Sequence, residues 1–201
     1  MTPDILATFY SKLLPTFPPQ AEKIVSTLQP ERFDKLAFRY TFSVEAMIAI
    51  SHIIETAVND TPNAADLHVS FQYLSRLVPQ RALYRNLSFT AKGLWLYCTP
   101  DAGGTETAAI LGAPRTTLID TSDSPMLEYW FVVAYGEGVS KMLLAHEIHA
   151  LAGEDRYYEG FYTFNPNVTY EFLQILHQAY PDRVPEPAKP EKLGLIFSPA
   201  P

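Results

Sequence analysis

The segment 126–166 constrains the fold of this chain more than any other part of its sequence. Residues 128–135 are apolar or aromatic on both faces, which predicts a strand buried on both sides of a sheet. Gly136 and Gly138 end that strand, and apolar residues then recur at a spacing that predicts a helix over 139–150. Residues 156–164 carry five aromatic side chains around Gly160 and predict another strand. The segment therefore predicts the packed centre of an α/β domain.

Helices are predicted on both sides of a block of strands. Ser43 can cap a helix that extends to about Asn59, and Asn165 can cap the last helix of the domain. Pro62 suits the first turn of a further helix, whose apolar face is Leu67, Phe71, Leu74 and Val78. Strands are expected over 93–99, 116–120, 128–135 and 158–164. This order predicts an α/β fold with a central sheet of about four or more strands flanked by helices.

The chain divides into three regions by composition. Residues 1–30 predict a helical N-terminal extension interrupted by prolines, and 31–180 form the main domain. Residues 181–201 are rich in proline and predict an extended tail. Its apolar residues are expected to dock, either on their own domain or on a neighbouring chain. The candidate partner-binding residues are Leu193, Leu195, Ile196 and Phe197.

Charge and composition exclude several classes of function. The formal net charge of -7 and the absence of a lysine and arginine stripe argue against nucleic acid as a partner. The single cysteine, Cys98, excludes an internal disulfide bond and fits a reducing compartment. No apolar run approaches the length needed to span a membrane, and the N-terminus lacks the features of a signal peptide. We expect a cytoplasmic protein without membrane insertion.

Catalytic and metal-binding patterns are weak. His146, Glu147 and His149 come close to a zinc-protease motif, but one residue is missing between Glu147 and the second histidine. A polar helix face explains these residues without a metal. Cys98 lies in an apolar strand and is expected to be a buried hydrophobic residue, and Gly103 stands in no phosphate-binding motif. We therefore predict no enzyme activity, no catalytic residues, no metal and no cofactor.

The aromatic segment offers the best candidate for a ligand site. Aromatic walls with a few fixed polar groups are typical of small-molecule pockets. The candidate ligand-binding residues are Trp130, Arg156, Tyr158, Glu159, Phe161 and Phe164. An ordinary aromatic core with one arginine–glutamate pair at its edge explains the same residues more simply, because aromatic side chains dominate ordinary cores too.

Several short motifs, in a consistent order, resemble the DICT sensory domain of diguanylate cyclases and two-component systems. The sequence EYWFVVAYGEGVSKMLLAHE, followed by RYYEGFYTFNPNV, is similar to the C-terminal half of that family, although Asn165 replaces its usual aspartate. AMIAISHIIETAV resembles its first long helix, and HVSFQYLSRLVPQRALYRNLS resembles a helix that contains Phe71 and Gln72. The resemblance covers about residues 36–180. The matching residues of the C-terminal half are Tyr129, Trp130, Phe131, Glu147, Arg156, Glu159, Gly160, Phe161, Thr163, Phe164, Asn165 and Pro166.

The resemblance implies a sensory module of bacterial signalling, especially in cyanobacteria and linked to light or photosynthesis. We expect a non-enzymatic sensory or adaptor protein that acts through ligand-biased protein contacts. Its expected partners are a histidine kinase or a cyclic-di-GMP enzyme, a small-molecule ligand, and other copies of the chain in a homo-oligomer. Two alternatives remain: an assembly protein without a ligand, and a small hydrolase or lyase with an unrecognised site.

Overall fold

A seven-stranded mixed sheet forms the centre of the domain in the computed structural model, which describes residues 40–148 and 156–195. The strand order is β1-β7-β6-β5-β2-β3-β4. β2 and β3 pair in parallel, as do β3 and β4, and all other neighbours are antiparallel. The strands are β1 Tyr40–Ser43, β2 Ala65–Tyr73, β3 Gly93–Thr99, β4 Thr116–Asp120, β5 Tyr129–Gly136, β6 Val139–Ile148 and β7 Tyr157–Thr163.

Four α-helices flank this sheet in the described part of the chain: α1 Val44–Asp60, α2 Arg81–Thr90, α3 Thr105–Leu111 and α4 Pro166–Ala179. Short 3-10 helices span Leu74–Gln80, Pro125–Glu128 and Pro190–Leu193. The Ser43 hydroxyl accepts a hydrogen bond from the Ala46 amide at 3.3 Å, so it caps α1 as predicted. Asn165 caps α4 in the same way, with Pro166 in the first turn. The predicted α/β fold is confirmed.

The sheet separates two hydrophobic cores. On one side, which we call the helix-rich face, Met47 and Ile54 of α1 and Tyr84 of α2 pack on the sheet. On the other side, Phe172 and Leu176 of α4 pack on the sheet. Residues 181–195, which we call the strap, continue from α4 across this second side. The second side is therefore called the strap face.

The helix predicted over 139–150 is wrong, because 139–148 form strand β6. Gly138, at φ 70, allows a tight turn that returns the chain beside β5, with Gly136 paired to Val139. β6 lies between β5 and β7 and is apolar on both faces: Leu143 packs on the helix-rich face and Leu144 on the strap face. A strand that is buried on both faces shows no alternation, so hydrophobic spacing did not distinguish it from a helix.

The helix predicted from Pro62 to Val78 is also wrong. Residues 65–73 form strand β2, in the interior of the sheet, and a 3-10 helix follows it. Leu67 and Phe71 do share one face, as the helix required, but residues four apart also share a face in a strand. The deciding signal is the alternation of Asp66, His68 and Ser70 with apolar neighbours, which has the period of two expected for a strand.

The structure describes part of the predicted C-terminal tail and none of the predicted N-terminal extension. The predicted helical extension, 1–30, lies outside the described residues. The strap packs on its own domain: Val184 is only 2% exposed, and Leu193 and Leu195 pack against the same core. Ile196 and Phe197 lie outside the described residues. Among the described residues, no helix is long and apolar enough to cross a lipid bilayer.

Candidate functional site

A cavity of about 360 Å³ lies between the strap face of the sheet and the strap. Strands β2, β3 and β5 supply its floor, and α4 and the strap supply its sides and roof. Its lining is mostly apolar and aromatic, with a few ionisable groups. The lining residues are Asp66, His68, Lys92, Trp95, Tyr135, Gly136, Leu173, Val184, Pro185, Glu186, Pro187, Ala188 and Leu193.

The strand register explains the shape of the floor. Asp66 on β2 lies opposite Gly93 of β3 on one side and Tyr135 of β5 on the other. Gly93 has no side chain, and the ring of Trp95 extends over it: a Cβ atom at Gly93 would lie 2.4 Å from the indole. The missing side chain therefore leaves room for the tryptophan ring, which forms one wall of the cavity.

His68 is held as a neutral imidazole. Its ring stacks on Trp95, and its Nδ1 lies 3.0 Å from the hydroxyl oxygen of Tyr97. Burial lowers the pKa of His68 to about 3, so the ring carries no charge near neutral pH. The Tyr97 hydroxyl has no other hydrogen-bond acceptor within the described residues, so we assign it as the donor to Nδ1. The ring proton then resides on Nε2.

Asp66 has a carboxyl group without a direct partner among the residues that the structure describes. Burial raises its pKa to about 6, and the positive charge of Lys92 opposes part of that increase. Within the described part of the chain, no hydrogen bond or ion pair to the Asp66 carboxylate is present. A partly desolvated carboxyl group in an aromatic cavity is a recognition group for a ligand that supplies a donor.

Side chains of the cavity wall hold the strap in place. The indole N–H of Trp95 donates to the Arg183 carbonyl at 2.9 Å. The Tyr135 hydroxyl donates to the Ala188 carbonyl at 2.8 Å. Trp95 and Tyr135 therefore both line the cavity and hydrogen-bond the strap.

Three of the six predicted ligand-binding residues lie close together in the structure. Trp130 and Tyr158 form an edge-to-face pair, with ring centroids 5.3 Å apart, and Arg156 lies 5.4 Å from the centroid of the Tyr158 ring. Arg156 also forms a bidentate ion pair with Glu147, in which Nε lies 2.7 Å from Oε1. This group lies on the helix-rich face, on the opposite side of the sheet from the cavity.

Gln72 of β2 completes the polar group around Arg156 and Glu147. The Gln72 side-chain oxygen accepts from Arg156 Nη2 at 2.9 Å and from Arg76, and the Gln72 amide lies 3.2 Å from Glu147. Gln72 has a positive φ of 60° and lies at a β-bulge in the pairing of β2 with β3. The bulge turns the Gln72 amide between two arginines and a carboxylate. A small pocket of about 40 Å³ next to Trp130 adjoins this cluster.

The other three predicted ligand residues do not join this group. Phe161 is fully buried in the core of the strap face, whereas Phe164 is 56% exposed beyond the end of β7. In the strand register, Glu159 of β7 lies opposite His146 of β6 on one side and opposite Thr41 of β1 on the other. Ligand binding at these positions stays a prediction, as does partner binding at Leu193, Leu195, Ile196 and Phe197.

The other chemical candidates occupy structural positions. His146 lies on β6 and bonds the Glu128 carboxylate at 2.8 Å, while His149 lies outside the described residues. The described residues contain no group of three or more potential metal ligands, and the predicted absence of a metal stays a prediction. Cys98 is buried, and burial raises the pKa of its thiol to about 12, far from that of a nucleophilic cysteine.

Comparison of the sequence with known protein families finds a match. Residues 23–148 match the DICT family, which is described as a sensory domain in diguanylate cyclases and two-component systems. No curated protein matches the chain in sequence. The chain aligns with a polyphosphate kinase from Porphyromonas gingivalis at a TM-score of 0.49 and 8% identity, over 86% of this chain and 31% of that one.

A second solved structure, the yeast tyrosyl-DNA phosphodiesterase, aligns at a TM-score of 0.31 and 10% identity. That alignment covers 74% of this chain and 41% of the phosphodiesterase. The chain therefore spans well under half the length of either structure, and neither similarity bears on its activity.

Proposed function

We propose that this chain, which belongs to the DICT family of sensory domains, is a non-enzymatic sensory protein. In this proposal it binds a small molecule in the cavity beneath the strap. One observation carries the proposal: the carboxyl group of Asp66, unpaired among the described residues, and the neutral imidazole of His68 line a cavity with aromatic and apolar walls. The volume of about 360 Å³ suits a small ligand, and few polar groups in an apolar lining are typical of small-molecule sites.

His68 and Cys98 are poorly suited to catalysis at this cavity. A general base works best with a pKa near the operating pH, and the pKa of about 3 makes His68 a weak base. Tyr97 occupies its Nδ1 atom, so no serine or cysteine hydrogen-bonds there. Cys98 packs on the helix-rich face, away from the cavity. These features support a site that recognises a ligand without transforming it.

The strap supplies a route for output. Trp95 and Tyr135 contact the cavity and also hydrogen-bond the strap, so a ligand that shifts either ring favours one strap position over another. Such a shift in population needs only different affinities of the ligand for the two states. A partner that contacts the strap would then read the bound state.

The partner in this proposal is a signalling protein, such as a histidine kinase or a cyclic-di-GMP enzyme, or another copy of the chain. The proposal places the protein in the cytoplasm of a cyanobacterium, in signalling linked to light or photosynthesis. The support for these points is the family resemblance and its association with two-component systems.

Native mass spectrometry of the protein purified from its own source tests the proposal. We expect a bound small molecule that is retained by the parent chain and lost in Asp66→Leu, which removes the carboxyl group from the cavity. Asp123→Leu, at an exposed position of a loop, is the matched control and should retain the ligand. Equal retention in both variants, or no bound molecule in the parent chain, would contradict the proposal.

A further inference from the structure

We infer that the cavity beneath the strap takes a small organic cation, in which an ammonium or amidinium group is carried on an apolar or aromatic body. This inference rests on the proposed function, because it specifies the ligand class for the same cavity. Three features support it: the charges of the lining, the unpaired state of one carboxyl group, and the walls around it.

The ionisable groups of the lining favour positive charge in the ligand. The cavity is lined by two carboxyl groups, Asp66 and Glu186, and by one ammonium group, Lys92. His68 adds no positive charge, because its imidazole is neutral. With both carboxyl groups ionised, the lining carries a formal charge of -1. An anionic ligand would meet two carboxylates and only one compensating charge.

The position of Asp66 favours a charged donor. Its carboxyl group has no hydrogen bond or ion pair within the described residues, although it lies half-buried on β2, in the interior of the sheet. A half-buried carboxylate without a partner loses part of its hydration, and a ligand cation that hydrogen-bonds it offsets that cost. Lys92 is largely exposed, so water screens most of its interaction with Asp66.

The aromatic and apolar walls of the cavity indicate which kind of molecular body should carry the cationic group. Trp95 and Tyr135 are aromatic, and an aromatic ring beside a carboxylate is a common arrangement for ammonium recognition. Leu173, Val184 and Leu193 form the apolar remainder. A bare metal ion or a highly hydrated polyamine would leave these surfaces without contacts. An aromatic or branched body of modest size would bury them.

Three probes with the same phenyl ring and different charges test the inference: 2-phenylethylamine as the cation, 2-phenylethanol as the neutral compound and 3-phenylpropionate as the anion. Isothermal titration calorimetry on the full chain at pH 8 is expected to give an affinity for the amine at least about tenfold above that for the alcohol or the acid. A tenfold ratio corresponds to about 1.4 kcal/mol, close to the lower end of the roughly 1.5–3 kcal/mol that a hydrogen bond to a charged group contributes.

Fluorescence locates the binding. The chain has two tryptophans, so Trp130→Phe leaves Trp95 as the sole indole, and these probes do not absorb at the wavelengths that excite tryptophan selectively. We expect the amine to change Trp95 emission. Asp66→Asn should abolish the preference for the amine, whereas Asp123→Asn should leave it unchanged.

The outcomes separate the two proposals. Tighter binding of the alcohol or the acid would contradict the inference of a cationic ligand, and so would an unchanged amine preference in Asp66→Asn. Either result would leave the proposal of a ligand-binding cavity intact. Failure of all three probes to bind at millimolar concentration also overturns the inference. The proposed function is then decided independently by whether the native protein retains a small molecule.

Discussion

The imidazole of His68 lies parallel to the indole of Trp95, with ring centroids 4.5 Å apart and an interplanar angle of 5°. The two residues are direct neighbours across the parallel pair β2 and β3. Their stacking joins a polar residue of β2 to the wall of the cavity and, through the Trp95 N–H, to the strap.

His68 should make the protein sensitive to acid. Its folded pKa of about 3 lies below the ordinary value of 6.5, so between these values the unfolded chain binds more protons and stability falls as pH decreases. The slope from this one group approaches about 1.4 kcal/mol per pH unit. His68→Phe keeps an aromatic ring against Trp95 and should flatten the decline between pH 6 and 4, as measured by urea unfolding. A decline in His68→Phe as steep as that of the parent would contradict the buried, neutral state of His68.

Asp66 should have the opposite dependence. Its folded pKa of about 6 lies above the ordinary value of 3.8, so the folded protein binds more protons, and stability falls as pH rises through this window. Asp66→Asn should gain stability relative to the parent, by about 1–3 kcal/mol above pH 6.5 and less near pH 4. Thermal unfolding from pH 4 to 8 measures this difference. A difference that is independent of pH would argue that Asp66 is solvated.

Gly160→Ala should destabilise the sheet strongly. A Cβ atom at Gly160 would lie 2.2 Å from the Leu144 carbonyl oxygen and 2.5 Å from the Ala145 side chain, and backbone atoms of a neighbouring strand cannot move aside cheaply. We expect a loss of about 3 kcal/mol in the free energy of unfolding. Gly103→Ala meets no atom within 4 Å and is the matched control. Similar chemical-denaturation midpoints for both variants would contradict the close approach of β6 and β7.

Tyr135→Phe should loosen the strap without unfolding the domain. The substitution removes only the hydroxyl that bonds the Ala188 carbonyl, at a cost of about 1 kcal/mol. If the strap opens locally, trypsin cleavage after Lys192 should accelerate about fivefold while the melting temperature changes little. Tyr73→Phe, at the exposed last residue of β2, should leave the cleavage rate unchanged. Equal rates in both variants would show that this bond does not restrain the strap.

The features that the sequence predicted correctly have local causes. Ser43 and Asn165 cap their helices through atoms two or three residues away, so a short stretch of sequence contains the whole signal. The strand over 128–135 is apolar on both faces and too short for an ordinary helix before Gly136 ends it. The fold class follows from these elements and their order.

The errors and the missed cavity have a non-local cause. β2 and β6 are strands because each lies between two other strands, and that pairing is not visible in their own hydrophobic spacing. The cavity collects residues from β2, β3, β5, α4 and the strap, so no motif in the sequence contains it. Asp66 and His68 lie in the segment predicted as a helix, which hid their common face. The cluster of Trp130, Arg156 and Tyr158 was easier to predict, since two of its three members are close in sequence.

The pairing of β1 with β7 has a consequence for synthesis on the ribosome. Tyr40 faces Gly160, so β1 meets its one neighbour among the described strands after 120 further residues have been translated. At roughly 5–20 residues per second, this delay is on the order of ten seconds. During that time β1 has no strand to pair with, and α1 waits for the strands β5 and β6 on which it packs. The nascent chain is therefore most open to misassociation before β7 emerges, whatever the stability of the finished domain.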